Sequence, residues 1–455
     1  MAPREQLPTH INDVVIVPQK TWIDKAGFFV YYYRRKEVIT MRLALPKPVE
    51  TALSRLEKAG YSAYVVGGCV RDHVLGFTPH DYDICSAATP EEMQKVFQGE
   101  RTIETGLKHG TLTVLLSGMP LEITTYRVDG AYSDGRHPDS VQFTARVEDD
   151  LSRRDFTINA MAYSPSAGLV DPFGGQADCE RGVIRCVGDP AARFGEDALR
   201  ILRALRFSSR LGFPIEEATA QAAVAGMKNL CHVSRERIAV ELSGILQGKD
   251  AARVLRKFPE VIETVLPELQ PLMAGEKWDL TLRTVCAAPK DLYLRWAAFL
   301  RLCGADAADS GRLAHDLLKG LKMSAKIMDT VSELVAWQDA DLRPETMQEM
   351  LMRIGPEWLS QLIPLRQAMR TATQKESPDA IARDAEALNH TLKALLDENA
   401  CYTLAQLAVN GNDMALLGLS GAAIGETLHA LLLQVTRGRL PNEREALLEA
   451  AKGTL

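Results

Sequence analysis

The spacing of apolar residues changes character twice along this chain. From Met41, MRLALPKPVETALSRLEKAG places Val49, Leu53 and Leu56 on one helical face, with Pro46 and Pro48 near its start and Gly60 as its stop. From Tyr61 to about residue 178 the runs shorten. YVVGG, DYDIC, TLTVLL, LEITTYR and VQFT predict strands, and PEEMQKVF (Pro90 to Phe97) predicts a helix capped by Thr89. From about residue 190 the helical period returns and stays. EDALRILRALRFSSRLG carries Leu199, Leu202, Leu205 and Phe207 and closes at Gly212. VSRERIAVELSGILQG carries Ile238, Val240, Leu242 and Ile245 between Ser234 and Gly248. YLRWAAFLRLCG, PEWLSQLIPLRQAM, DAEALNHTLKALLDE and REALLEAAKG follow, with short polar loops between them and no repeat of fixed period.

The pattern predicts an α+β chain, with a small mixed β-sheet followed by an all-α remainder. Residues 1–40 stand apart. FFVYYYRRKEVIT is aromatic and basic without a clear period. Two readings stay open: upstream sequence or a poorly ordered arm ahead of a functional start at Met41, or a genuine N-terminal strand and helix.

The 455 residues suffice for several domains. A net charge of −6 gives no global signal for nucleic acid, although a local basic groove can coexist with an acidic whole. The eight cysteines form no CxxC pair, which argues against a zinc ribbon and for reduced thiols in a cytoplasmic setting. No apolar run reaches the roughly 18 residues of a membrane span, so no membrane contact is expected. The opening MAPREQLPTHIND lacks the apolar core of a signal peptide.

Candidate chemistry begins at YVVGGCVRDHVLGFTPHDYDI, Tyr64 to Ile84. Asp81 and Asp83 share one face of a strand by its period of two. Hard oxygen ligands so spaced suit Mg²⁺, which is held by carboxylates, phosphates and waters. The Gly67-Gly68 turn and the helix start behind it leave backbone N–H groups free to face an anion. Carboxylates for metal beside a phosphate cradle suit two-metal phosphoryl transfer. Glu122, in LEITTYR, lies on a strand of suitable length to give a third carboxylate. A lone DxD reads as a polar strand edge; a preceding GGxxRD shifts the balance. In LSRRDFTINAMAY, Arg153 and Arg154 suit a triphosphate and Asp155 a ribose hydroxyl, against the plainer reading of a surface ion-pair cluster. In RFGEDALRILRALRF, Asp197 and Arg200, and often Glu196, fall on one side of a helix, with Arg203 and Arg206 at three-residue steps. Such charges are commonly a solvated face. An acceptor and a multiple donor one turn apart can also match the edge of a base.

Taken in order, GGCVRD…HDYDI, RRDFTINAMA, DPFGG (Asp171 to Gly175), EDALRILRALRF and SRERIAVEL resemble the motif series of the class II CCA-adding enzymes, the tRNA nucleotidyltransferases, which share much with bacterial poly(A) polymerases. The resemblance runs from about Ala59 to Leu246. It implies a catalytic head at 41–178, a helical neck for nucleotide selection at 179–250, a body at 251–320 and a tRNA-binding tail at 321–455. It implies addition of the 3′-terminal CCA to tRNA from CTP and ATP without a template. In this reading Asp81 and Asp83 hold Mg²⁺, and Gly67, Gly68, Arg71 and Asp72 line the triphosphate with Arg153 or Arg154. Asp155 reads the ribose, and Asn159 of the same run joins the nucleotide-binding set. Asp197 and Arg200 pair with the incoming base, oriented by Glu196 and Arg203. RVDGAYSDGRHPDSVQF, Arg127 to Phe143, matches the family's flexible loop.

Two alternatives accompany this reading. A bacterial poly(A) polymerase would usually carry a longer, basic insertion before RRDF and a basic tail. Here VEDDLSRRDF is short and acidic, and Glu443 to Leu455 is not basic. A non-catalytic tRNA-binding protein would be expected to have lost the DYD or EDxxR residues, which are present. His315-Asp316 is a lone HD pair that reads as helix surface. Arg437 and Arg439 are basic candidates for tRNA contact, or simply a solvated turn.

Overall fold

The structure, a computed structural model, describes residues 43–104, 106, 110–130, 140–273 and 275–453, with the backbone of Tyr32–Arg35 and Val38–Met41. Most of 1–40, and residues 131–139 of the expected flexible loop, lie outside the described residues. The chain divides into two compact units, Met1–Ser208 with Gly212–Val233, and Ser209–Leu211 with Ser234–Leu455.

The first unit opens with the hairpin β1 (Tyr32–Arg35) and β2 (Val38–Met41) and helix α1 (Lys47–Lys58), which buries Val49, Leu53 and Leu56 as its period predicts. Strand β3 (Ala63–Val66) runs into helix α2 (Gly68–Val74). Strand β4 (Asp83–Ser86) is followed by helix α3 (Pro90–Val96), where Thr89 and Glu92 form a reciprocal capping box. Strands β5 (Arg101–Ile103), β6 (Thr111–Leu116) and β7 (Met119–Thr125) complete one edge of the sheet. A separate ribbon, β8 (Arg127–Asp129) with β9 (Val141–Phe143), leads into helix α4 (Val147–Ser152). Strands β10 (Ala162–Ser164) and β11 (Gly168–Val170) close the other edge.

The seven-stranded sheet has the order β11-β10-β3-β4-β7-β6-β5 and is antiparallel except for β4 beside β7. Its core face carries Val65, Ile84, Leu112, Val114, Leu121 and Ile123, all essentially buried. Alternation in β6 and β7 leaves the other face, which carries Glu122, open to solvent. Helices α5 (Gly175–Arg181), α6 (Pro190–Glu196), α7 (Leu199–Leu211) and α8 (Glu217–Gly226) follow the sheet. The α+β expectation holds.

The second unit is helical throughout its described residues. Its first helix, α9 (Arg235–Leu246), buries Ile238, Leu242 and Ile245, whereas Val240, expected on that stripe, is 68% exposed. A four-residue step from Ile238 reaches Leu242, and Val240 falls half a turn away. Helix Met347–Thr373 is broken at Gly355, whose φ of +78° ends one segment just before Pro356 starts the next. The last 50 or so residues gather Val409, Met414, Leu431, Leu432 and Leu447 into a small core of their own, with Met352 packed against it. Among the described residues no helix is long and apolar enough to cross a membrane.

Candidate active site

The carboxylates meet where β3 ends and β4 begins, beside the middle of β7. Strand β3 leaves the sheet at Gly67 to enter α2, so the β3–β4 ladder ends with Val66 beside Asp83. The expected strand over DYDIC therefore starts at Asp83, and Asp81 lies in the extended run just ahead of it with no ladder partner. On the other side Asp83 sits in register with Glu122 on the parallel strand β7, so their side chains share one face. Crowding by surrounding protein atoms pushes the Asp83 carboxyl up from its ordinary range, Asp81 and Glu122 push it further, and Arg154 pulls it partly back. Tyr82, between the two aspartates, places its hydroxyl 3.2 Å from Nε2 of His73 on α2. Burial lowers His73 and raises Tyr82 to about 12.

The glycine turn stands beside these carboxylates. Gly67 has φ +77° and donates its N–H to the Met161 carbonyl. A Cβ there would lie 3.0 Å from Nη1 of Arg154, so close approach and backbone conformation both demand glycine. Arg154 donates from Nη2 to Asp150 at 3.1 Å, while its Nε is buried with no hydrogen-bond partner. Arg153 grips the same carboxylate through Nε and Nη2 at 3.1 and 2.7 Å and lies 3.5 Å from Asp129. Burial opposes ionisation of Asp150, but the two arginines outweigh it and hold its carboxyl below the usual range.

Behind the turn runs a continuous chain of side chains. Arg71 is buried and donates from Nε and Nη2 to Asp72 at 2.9 and 2.7 Å. Its Nη1 donates to Asn159 Oδ1 at 2.6 Å, and Asn159 Nδ2 donates to Asp155 at 3.2 Å. Asp155 also accepts from the Phe156 N–H at 2.8 Å and from Arg203 Nε and Nη2 at 2.7 and 2.6 Å. Its acceptor capacity is thereby filled. Burial opposes its charge, and Arg203 foremost overcomes this and depresses its pKa.

The RFGEDALRIL segment is two helices rather than one. α6 ends at Glu196, Asp197 is extended (φ −147°, ψ 105°), and its Oδ1 accepts from the Leu199 N–H as α7 begins. An aspartate followed by a helical run is a capping signal, and here it wins over continued helix. Arg200 donates to Glu196 at 2.5 Å, to the Arg193 carbonyl at 3.2 Å and to the Arg153 carbonyl at 3.1 Å. It thus ties the start of α7 to the end of α4. DPFGG builds a loop: the Asp171 carboxylate accepts from the Gly175 and Gln176 N–H groups.

Sequence reasoning passed over Asp150, the buried anchor of both arginines. The signal was its spacing, three and four residues ahead of Arg153 and Arg154 on one helical turn. It also passed over Asp129, 24 residues from Arg153, which no local pattern could show. Elsewhere, His315 and Asp316 lie 3.7 Å apart on the helix Ala307–Gly320, and among the described residues no group of three or more His, Cys, Asp or Glu side chains is placed to hold a metal ion. Arg437 makes a bidentate pair with Glu349 at 2.8 and 2.9 Å and is part of the fold of the second unit, while Arg439 is exposed.

Known proteins resemble this chain along most of its length. The Poly A polymerase head domain family matches residues 63–185, the RNA- and SrmB-binding site of polymerase A matches 212–273, and tRNA nucleotidyltransferase domain 2 matches 291–451. The CCA-adding enzyme of Lacticaseibacillus paracasei is 35% identical over 424 residues, covering 90% of this chain and 98% of that protein. That of Geobacillus stearothermophilus is 36% identical over 398 residues, covering 87% and 94%. The crystal structure of the Bacillus stearothermophilus CCA-adding enzyme in complex with CTP superposes with a TM-score of 0.74 at 32% identity, over 90% of this chain and 98% of that one. The Thermotoga maritima enzyme shares the fold, with a TM-score of 0.57 at 23% identity. With a glycine turn, paired carboxylates and a capped arginine helix in the family's order, and relatives matched across nearly their whole length, the chain belongs to the CCA-adding enzymes, the tRNA nucleotidyltransferases of the poly(A) polymerase family.

Proposed function

We propose that this chain adds the 3′-terminal CCA to tRNA from CTP and ATP without a nucleic-acid template. The 3′-hydroxyl of the tRNA attacks the α-phosphorus of the nucleotide, the bond to the β-phosphate breaks, and pyrophosphate leaves. The observation that carries the proposal is Asp83 set beside Glu122, within the electrostatic reach of Asp81 and Arg154, next to the Gly67 turn.

Asp83 in register with Glu122, and Asp81 near enough to act on its charge, offer oxygen donors of the kind a hard divalent cation takes, and Mg²⁺ takes one or two carboxylates together with phosphates and waters. Asp81 and Asp83 would hold it, with Glu122 as the third oxygen donor. When bound, Mg²⁺ supplies a more acidic attacking hydroxyl and offsets the charge of the leaving pyrophosphate. The remaining work falls to the chain. Gly67 and Gly68 let the triphosphate approach the backbone, and Arg154 offers it a guanidinium whose Nε has no protein partner. Arg153 and Arg71 act from behind, since their donors are spent on Asp150 and on Asp72 and Asn159. Asp155 fixes Arg203 and reaches a ribose hydroxyl when that hydroxyl replaces the 3.2 Å bond from Asn159. Asp197 and Arg200 meet the base edge, with Glu196 and Arg203 orienting them.

In this reading 41–178 form the head, 179–250 the neck, 251–320 the body and 321–455 the tail that holds the acceptor end of tRNA. A tRNA substrate and eight free cysteines support a cytoplasmic location. The test is extension of a tRNA ending at its discriminator base, with Mg²⁺ and CTP, ATP or both, read at single-nucleotide resolution. Growth by CC with CTP alone and by CCA with both is the expected result. A long A ladder with ATP alone makes the chain a poly(A) polymerase, and no growth makes it a tRNA-binding protein.

A further inference from the structure

We infer that Phe207 is a positioning residue for nucleotide choice, the shared seat of the arginines that join the glycine turn to the selecting helix; this role builds on the function proposed above. Phe207 lies on α7, buried to 5% exposure, with the edge of Phe156 against it at 5.7 Å and 78°. Three guanidiniums surround its ring, with Cζ atoms 5.3 Å (Arg71), 5.5 Å (Arg203) and 4.4 Å (Arg206) from the centroid. Each lies within the range where the ring quadrupole attracts a cation.

Two of these arginines are the ends of one hydrogen-bonded chain. Arg71 donates to Asn159 at 2.6 Å, Asn159 to Asp155 at 3.2 Å, and Arg203 to Asp155 at 2.7 Å. Phe207 closes that chain into a loop of contacts, because both terminal guanidiniums return to its ring. Like charges around one ring repel unless countered, and Asp72 on Arg71 and Asp155 on Arg203 supply the counter-charge. The ring then restrains the planes in which those guanidiniums lie. Arg203 stands one turn before Phe207 on the same face of α7, and Arg200 lies one step earlier. The orientation of the selecting residues is therefore coupled, through Phe207, to the position of α2 behind the triphosphate turn. An aliphatic side chain would fill the volume but restrain no guanidinium plane.

The test replaces Phe207 in the full-length protein with mono-, di- and trifluorophenylalanine, and separately makes Phe207→Leu. Fluorine drains the ring face with little change of shape. The ratio of kcat/KM for adding C from CTP to that for adding U from UTP, on a tRNA lacking CCA, is expected to fall stepwise, by roughly tenfold at the trifluoro ring. Phe207→Leu should lose at least as much, and a general packing role would instead lower both reactions alike. A flat ratio across the folded fluorinated series overturns the inference. A second readout needs no reaction: rotation about the Arg203 Nε–Cζ bond, followed by nitrogen NMR, should quicken with fluorination. A wild-type protein that never extends tRNA refutes the proposed function, and unchanged Arg203 rotation in the series then still refutes the role of Phe207.

Discussion

Replacing Asp83 with asparagine should stabilise the protein without metal and destabilise it, relative to wild type, with metal. Asp83 and Glu122 stand in register on adjacent parallel strands, which lie about 4.8 Å apart, so their charges are roughly 5 Å apart. Two like charges at that distance repel by about 0.8 kcal/mol in bulk water and about 3 kcal/mol at the effective dielectric of a protein surface. Both residues keep solvent contact, although protein atoms crowd Asp83, so a value toward the lower end applies. Asp81 adds a second repulsion and Arg154 offsets about one, leaving a net penalty of roughly 1 kcal/mol. Asp83→Asn removes it, and the unfolding midpoint of the first unit should rise by about 2–4 °C in EDTA.

Magnesium should invert that order. An ion bound only by the folded state stabilises it by about 1.4 kcal/mol at ten times its dissociation constant. Wild type gains this and the variant, lacking one ligand, gains less. Calorimetry is the assay to use, because from residue 43 onward every tryptophan (Trp278, Trp296, Trp337, Trp358) belongs to the second unit and reports on that one. A variant less stable than wild type in EDTA would refute the repulsion, and equal stabilisation of both proteins by Mg²⁺ would refute the ligand assignment.

Three further outcomes are expected. Arg200→Ala should cost roughly tenfold or more in preference for C and A over U and G, about 1.4 kcal/mol of discrimination, read from single-nucleotide extension; an unchanged preference would end the base-reading role of α7. Asp150 and Asp155 have folded pKa values held below their unfolded values, so the stability they contribute is present above about pH 4 and is lost as pH falls through the folded values. Asp150→Asn should flatten that acid limb in pH-dependent calorimetry, and an acid limb identical to wild type would contradict the assignment. Gly67→Ala places a side chain at φ +77° and 3.0 Å from Arg154, which should cost about 1–3 kcal/mol of stability and raise KM for CTP; a protein that keeps both would show that the turn can relax.

Much of the local structure was legible in the sequence because its causes are local. Thr89 and Glu92 spell a capping box, Gly212 supplies the left-handed residue that ends α7, and alternation in TLTVLL and LEITTYR marks half-buried strands. Long-range placement was less legible. That β4 and β7 are neighbours, and parallel, follows from how helices and turns return the chain, so the register of Asp83 with Glu122 is a tertiary fact. The break at Asp197 had a local signal that competed with the helical period around it. That Glu349, 88 residues earlier, pairs with Arg437 is likewise a contact no local pattern could show.

The same pairings bear on how an acidic chain can serve polyanionic substrates. Around the turn, Arg71 is matched by Asp72, Arg153 by Asp150 and Asp129, Arg200 by Glu196 and Arg203 by Asp155. These guanidiniums are oriented by carboxylates before any nucleotide arrives, so they shape the site more than they charge it. In the proposed reading, a triphosphate entering such a balanced set meets three more carboxylates at Asp81, Asp83 and Glu122 and, nearby, mainly Arg154 to oppose them. Coulomb repulsion at those distances is unfavourable by the same order as the penalty worked out for Asp83. Affinity for a bare triphosphate is therefore expected to be low, and cations that accompany it would satisfy the protein and the phosphates together. In the proposed reading, the carboxylate crowding expected to destabilise the free head is also what would make its nucleotide site depend on metal.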